Sequence, residues 1–218
     1  MKRVVIAIDG PSGAGKGTIS RAIAQALGYR HVDTGAMYRA VGWKAAHDGI
    51  PLDDEAGVSA LARAATIHVE GGVVSIDGHD VTRAIRTPEI DKAATAVARL
   101  PKVREALVAR QRGLGADGGV VMEGRDIGTV VFPNADVKIY LDASAEERAR
   151  RRAGDASHSG SQTGQAAVAE AIQARDNADT TRAVSPLSIA PDAVHLDTTE
   201  MPIEKVVDHV MGLVRARL

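Results

Sequence analysis

The stretch VVIAIDGPSGAGKGT, residues 4–18, decides the fold of this 218-residue chain. Its first five residues form an unbroken apolar run rich in β-branched types, which predicts a strand buried on both faces of a parallel sheet. A glycine-rich turn follows. Ile19 to Leu27 then repeats apolar residues at helical spacing, and Gly28 stands where a helix commonly ends. We therefore predict a strand, a loop and a helix, the beginning of a βαβ unit.

The turn matches the G-x-x-x-x-G-K pattern of phosphate-binding loops (P-loops), and it has the required strand before it and helix after it. Glycines let consecutive backbone N–H groups surround a phosphate, the helix N-terminus favours negative charge, and the lysine reaches the outer phosphates. The alternative is a glycine turn that binds no ligand, and the strand before the turn and the helix after it disfavour this alternative. The predicted ATP-binding residues are Gly10, Pro11, Ser12, Gly13, Ala14, Gly15, Lys16, Gly17 and Thr18.

One position departs from the strict motif, which has Ser or Thr directly after the lysine as a magnesium ligand. Here Gly17 follows Lys16, and Thr18 comes next. We predict that Thr18 belongs to the metal site, directly or through a water molecule. The predicted cofactor is Mg²⁺, bound together with ATP.

Composition limits the possible partners. A formal net charge of −1 provides no general attraction for polyanions, which argues against nucleic acid as a partner. The chain has no cysteine, which excludes disulfides, thiolate metal sites and a cysteine nucleophile. No stretch is long enough to span a membrane, and the apolar run that ends at Ile8 is too short for a signal peptide. We expect a cytoplasmic protein that binds small anions.

The rest of the chain indicates an α/β fold with a doubly wound parallel sheet and an inserted small antiparallel sheet. Brief strands separated by glycine turns predict the inserted sheet. The polar segment 153–165 predicts a mobile lid, with a plain linker as the alternative. Further parallel strands are predicted at Tyr29–Val32, Val120–Met122, Val137–Leu141 and Ala193–Leu196, and inserted strands at Thr66–Glu70, Val73–Asp77 and Asp80–Thr82.

Charged residues follow two of the buried strands, at the edge of the sheet where open α/β folds bind ligands. Arg39 comes shortly after the second strand and suits a two-pronged hydrogen bond to a phosphate group. Arg125 and Asp126 follow a later strand; the arginine suits a phosphate, and the carboxylate suits an amino group on a base. The alternatives are a solvated arginine at position 39 and a structural ion pair at positions 125 and 126.

Further arginines border the polar segment 153–165. Arg148, Arg151 and Arg152 share one face of a predicted helix that Ser144 and Glu147 cap. Beyond the segment lie Arg175, Asp179 and Arg182. A cluster of guanidinium groups suits phosphoryl transfer, where charge spreads over the transferring oxygens. Any of these arginines is alternatively an ordinary surface residue, Arg151 first among them.

With these segments in place, the chain resembles the bacterial cytidylate kinases, which are P-loop nucleoside monophosphate kinases. The resemblance spans nearly the whole chain, in order and at matching spacing. The strings that carry it are IDGPSGAGKGT (8–18), DTGAMYR (33–39), IRTPEI (85–90), PKVREALVARQR (101–112), EGRDIGTVVFP (123–133), KIYLDAS (138–144) and TRAVSPL (181–187).

The resemblance implies one domain over residues 1–218, with a P-loop at 10–18, a monophosphate-binding insert at about 35–118 and a lid at about 152–166. It implies a monomer that transfers phosphate from ATP to CMP or dCMP. The implied catalytic residues are Lys16, Arg125, Arg148, Arg152 and Arg175. The implied CMP-binding residues are Thr34, Arg39, Thr95, Arg104, Arg125, Asp126, Arg175, Asp179 and Arg182.

The chain departs from the family pattern at two places, and two other functions remain as alternatives. Glu123 stands where many relatives have aspartate, and the predicted lid carries few basic residues. A P-loop kinase for another small acceptor, such as UMP, AMP, shikimate or gluconate, is the alternative enzyme. A non-catalytic ATP-binding switch is the alternative outside enzymes, and it would bind nucleotide without acceptor turnover.

Overall fold

A computed structural model describes residues 3–155 and 164–217. Its centre is a sheet of five parallel strands in the order β2-β6-β1-β7-β8. The predicted parallel sheet is confirmed. The strands are β1 (Val5–Asp9), β2 (Arg30–Asp33), β6 (Val120–Gly124), β7 (Val137–Asp142) and β8 (Val194–Asp197).

Helices cover both faces of this sheet, because strands such as β1 carry apolar residues on each side. Ala7 packs into one apolar cluster, with Val32 and Met122, whereas Ile6 and Ile8 pack into the other. The described residues form α1 (Lys16–Leu27), α2 (Thr34–His47), α3 (Glu55–Ala64), α4 (Pro88–Val97), α5 (Pro101–Leu114), α6 (Ala145–Ala153), α7 (Gln165–Thr181) and α8 (Ile203–Arg215), with a π-helical turn at Ile127–Val131.

The inserted antiparallel sheet is also confirmed. It consists of β3 (Ile67–Glu70), β4 (Val73–Ile76) and β5 (His79–Asp80). Strand β5 ends earlier than predicted, because at Thr82 the side-chain hydroxyl, and not a backbone group, bonds to β4. Its hydroxyl accepts a hydrogen bond from the backbone N–H of Val74 at 2.9 Å. The small sheet packs on α2, which in turn packs on α4 and on β6 of the central sheet.

Helices α6 and α7 bracket residues 156–163, which lie outside the described residues. Most of the predicted lid at 152–166, including His158, therefore falls outside them as well. The predicted cap of α6 is half confirmed: Ser144 Oγ accepts a hydrogen bond from Glu147 N at 3.2 Å. The Glu147 carboxylate turns instead to Arg150 and Arg151. Within the described residues, no helix is both long and apolar enough to cross a bilayer.

Candidate active site

A cleft of about 760 Å³ opens at the carboxyl edge of the central sheet. The P-loop forms one side, and the ends of β2 and β6 form its floor. Most of the residues predicted for the site meet there, although they come from separate parts of the chain. The predicted residues that line the cleft are Ser12, Gly13, Ala14, Gly15, Lys16, Gly17, Thr18, Thr34, Arg39, Arg125, Asp126, Arg152, Arg175 and Asp179.

Close packing explains two glycines of the P-loop. Gly10 has φ of 148°, and a Cβ atom there would collide with the carbonyl oxygen of Leu141 in β7. A Cβ atom at Gly13 would lie 2.7 Å from the carbonyl oxygen of Arg148 in α6. The loop is thus pressed between the sheet and α6, and only glycine fits at these two positions.

Lys16 opens α1 and is 7% exposed. Its Nζ atom donates a hydrogen bond to the carbonyl oxygen of Pro11 at 2.6 Å, so the side chain folds back over the loop. Burial, followed by the charge of Arg125, lowers the pKa of Lys16 to about 7. An anion beside the ammonium group would raise that pKa again, because it favours the charged form of the lysine.

The carboxylate of Glu123 lies close to Gly17. A Cβ atom at Gly17 would lie 3.3 Å from Glu123 Oε1, which itself lies 2.9 Å from His31 Nε2. A serine or threonine at position 17 would therefore press on this carboxylate. Thr18, one position further, is exposed to the cleft.

These residues fit magnesium bound together with a nucleotide. The described residues contain no cluster of three or more His, Asp or Glu side chains that would hold an ion in the absence of a nucleotide. Magnesium in nucleotide sites takes one or two protein oxygens and fills its shell with phosphate oxygens and water. Thr18 and Glu123 offer a hydroxyl and a carboxylate on the same side of the cleft.

The far end of the cleft is lined by paired charges. Arg39 Nη2 donates to Asp33 Oδ2 at 2.9 Å, and Asp33 also caps α2 by accepting from Ala36 N. Arg125 Nε donates to Asp179 Oδ2 at 2.8 Å. These pairs hold each guanidinium group at the cleft wall, and a buried guanidinium needs such a partner.

Behind this end lies a buried ion pair between Arg104 and Asp126, which are 2% and 5% exposed. Arg182 Nη2 lies 3.6 Å from Asp126 Oδ1, and the Arg104 guanidinium lies 5.4 Å from the centre of the Tyr38 ring. Arg104 Nε has no hydrogen-bond partner among the described residues. A buried donor without a partner is costly, so a polar ligand group that accepts its hydrogen bond would be favoured here.

Other predicted residues do not line the cleft. Thr95 Oγ1 donates to Asp91 O within α4 at 2.9 Å. Arg148 lies behind the P-loop, where it pairs with Asp176 and donates to Ser12 O at 2.9 Å. The predicted residues that stand outside the lining are Gly10, Pro11, Thr95, Arg104, Arg148 and Arg182.

The sequence did not predict two parts of the cleft: the wall that follows β8 and the ring of Tyr38. Thr198, Met201 and Pro202 line the cleft after β8, and Arg151 Nη2 donates to Thr198 O at 2.6 Å. Arg151, the arginine least favoured from the sequence, therefore lines the cleft. Tyr38 also lines it, and burial raises the pKa of its hydroxyl to about 12. Tyr38 lies within the string DTGAMYR, so a signal for it existed; no local pattern marks Thr198 or Met201.

Comparison with known families identifies relatives of the whole chain. The family model for cytidylate kinase matches residues 6–216 of the chain. The chain belongs to the cytidylate kinase family. The cytidylate kinase of Solibacter usitatus (strain Ellin6076) is 49% identical over 219 residues, which cover 100% of this chain and 94% of the relative. That of Pelotomaculum thermopropionicum (strain DSM 13744 / JCM 10971 / SI) is 50% identical, with coverage of 97% and 96%.

Among solved structures, a gluconokinase from Sinorhizobium meliloti 1021 shares the fold with a TM-score of 0.53. Its sequence is 17% identical, and the superposition covers 99% of this chain and 94% of that one. This likeness concerns the fold alone. The predicted α/β kinase fold and the predicted membership in the cytidylate kinase family are both confirmed.

Proposed function

We propose that the chain transfers the γ-phosphate of ATP to CMP or dCMP, which gives ADP and CDP or dCDP. The buried Arg104–Asp126 pair carries this proposal, because Asp126 lines the cleft and Arg104 pairs with it from behind. Cytosine presents an amino group beside ring acceptors, which a carboxylate next to an arginine complements. Uracil would turn a carbonyl oxygen toward the same carboxylate.

The P-loop side would hold ATP. Lys16 lies against the loop and would contact the β- and γ-phosphates, and backbone N–H groups of residues 13–18 would surround the β-phosphate. Met201 and Pro202 offer an apolar wall that suits the flat adenine ring. Mg²⁺, when bound near Thr18 and Glu123, would neutralise charge on the phosphate oxygens.

The acceptor side would hold the monophosphate. Arg39 and Arg125 would bind its phosphate; Thr34, Thr95, Arg104 and Asp126 would face the nucleoside; Asp179 and Arg182 would contact the sugar and phosphates. A phosphate oxygen of CMP then attacks the γ-phosphorus in line with the departing ADP oxygen. No general base is needed, since that oxygen is already ionised near neutral pH. Arg152 and Arg175 would stabilise the charge of the transferring group, and Arg148 would support the loop.

We also propose that the chain acts as one domain and as a monomer in the cytoplasm, on free nucleotides rather than nucleic acid. Its net charge of −1 supports the last point. Light scattering during gel filtration measures the mass, and a mass of two chains would overturn the monomer.

The test of the activity is ADP release with ATP and magnesium against CMP, dCMP, UMP, AMP and GMP, with an acceptor-free control. Turnover with CMP and dCMP alone is expected. Lys16→Met is the matched control for contaminating kinases, and its turnover should fall by orders of magnitude while the fold stays intact. Equal turnover with UMP would overturn cytosine recognition, and ADP release without any acceptor would overturn the acceptor site.

A further inference from the structure

Asp91 joins arginines from different helices at the edge of the cleft. It lies in the first turn of α4, and its Oδ2 accepts a hydrogen bond from Arg152 Nη2 at 2.7 Å. Its Oδ1 accepts from Arg175 Nη1 at 3.0 Å and lies 4.0 Å from Arg39 Nη1. The arginines belong to α6, α7 and α2, so one carboxylate connects the insert to the helices on both sides of residues 156–163.

The same arginines line the cleft and belong to the set proposed above to bind phosphate groups. A carboxylate and a phosphate present similar oxygens to a guanidinium group, and both accept its paired N–H donors. Asp91 therefore contacts donors that a nucleotide phosphate would use. The two anions compete, since each arginine has a limited number of N–H groups.

Asp91 leaves part of this positive charge unmatched. Buried Nε atoms of Arg39 and Arg175 have no hydrogen-bond partner among the described residues. Burial and the neighbouring charge of Arg125 lower the pKa of Arg175 to about 10, so the guanidinium groups repel one another there. Asp91 reduces this repulsion, and a nucleotide phosphate that displaced it would also reach these unpaired donors.

We propose that Asp91 is an internal counter-anion: it holds Arg39, Arg152 and Arg175 together in the nucleotide-free chain and competes with nucleotide phosphate for them. It is a positioning residue, because it acts through the arginines. The inference rests on the proposed function, since it takes these arginines to be phosphate ligands. Removal of its charge should tighten phosphate binding and loosen α6 and α7 from the insert.

The test compares Asp91→Asn with the wild type by calorimetric titration of CMP at fixed ionic strength. The expected result is a dissociation constant lowered roughly three- to tenfold, with the gain shrinking as salt is added. Hydrogen exchange without nucleotide should become faster in the last turn of α6, which carries Arg152. Asp91→Ser is the second variant, because it removes the charge with a shorter side chain while Thr87 still caps α4.

Glu89→Gln is the matched control. Glu89 lies in the same first turn of α4 and carries the same charge, but its side chain is exposed. An unchanged affinity in this control, together with tighter CMP binding by both Asp91 variants, supports the inference. Unchanged or weaker binding in the Asp91 variants would overturn it, as would equal tightening in Glu89→Gln. Failure of the proposed function looks different, because the wild type itself would then neither bind nor phosphorylate CMP.

Discussion

The carboxylate of Asp176 accepts a hydrogen bond from the backbone N–H of Ser12 at 3.0 Å. The same carboxylate pairs with Arg148, which donates to the carbonyl oxygen of Ser12 at 2.9 Å. Helix α7 and helix α6 thus hold one residue of the P-loop by both of its backbone polar groups. Arg148 supports the loop from behind in this arrangement.

Asp176→Ala should therefore weaken ATP binding more than CMP binding. Without the carboxylate, the Ser12 N–H and the Arg148 guanidinium lose their partner and the loop becomes less ordered. We expect kcat/KM for ATP to fall by roughly tenfold, equal to about 1.4 kcal/mol, with KM for CMP nearly unchanged. Asn177→Ala, at the exposed neighbouring position of α7, is the control. Equal losses for both substrates would contradict a role specific to the P-loop.

Gly17→Ser should reduce activity even though serine is the residue of the strict P-loop motif. The new side chain would press on Glu123 Oε1, which lies 3.3 Å from the Cβ position. Steady-state kinetics should show kcat/KM for ATP lowered by about tenfold. The double variant Gly17→Ser/Glu123→Asp should recover part of the loss, because the shorter carboxylate makes room.

Gly212→Ser is the control for this substitution. Gly212 lies in α8, and a Cβ atom there meets no atom within 4 Å. Its activity should match the wild type. Full activity of Gly17→Ser would show that the carboxylate on β6 does not limit this position.

Asp126→Asn should change the preferred base. The amide can donate a hydrogen bond to the O4 atom of uracil, whereas it is a poorer hydrogen-bond acceptor than a carboxylate for the amino group of cytosine. We expect the ratio of kcat/KM for CMP over UMP to fall by roughly ten- to a hundredfold, with KM for ATP unchanged. The variant also removes one charge from the buried pair with Arg104, so thermal unfolding must be measured alongside. An unchanged ratio in a folded variant would exclude Asp126 as the reader of the base.

Asp9 should make stability depend on pH. Its carboxylate accepts hydrogen bonds from Ile127 N at 2.8 Å and Gly128 N at 2.7 Å, yet burial raises its pKa to about 6 from an ordinary 3.8. Between these values the folded chain binds more protons than the unfolded chain, so stability falls as pH rises. The side chain therefore contributes most to stability below pH 4, and this contribution is lost as the pH rises through 6.

The measurement is urea unfolding of the wild type and Asp9→Asn at pH 4 and pH 7. The difference in unfolding free energy between the two proteins should shift by about 2 kcal/mol against the wild type at the higher pH. Asp117→Asn, at an exposed position after α5, is the control for the loss of one carboxylate. A constant difference for Asp9→Asn would mean that Asp9 titrates alike in both states.

Local patterns predicted the elements of the fold and the phosphate-binding loop. The P-loop was predictable because a strand, its glycines and Lys16 are contiguous, and the helix cap at Gly28 was predictable for the same reason. Residues that act across the fold were not predictable. Asp176 and Asp91 find their partners only when α7 and α4 approach the cleft, and no spacing along the chain encodes those approaches.

The arrangement of the central sheet has a consequence for synthesis of the chain. Strand β1 lies between β6 and β7, and its register begins with Val5 opposite Val120. The strand that carries the P-loop is thus synthesised well before β6 and β7, its two neighbours in the sheet. Pairing so distant in sequence slows folding and leaves an apolar strand exposed. Early contact with a chaperone would therefore be expected to centre on residues 4–8.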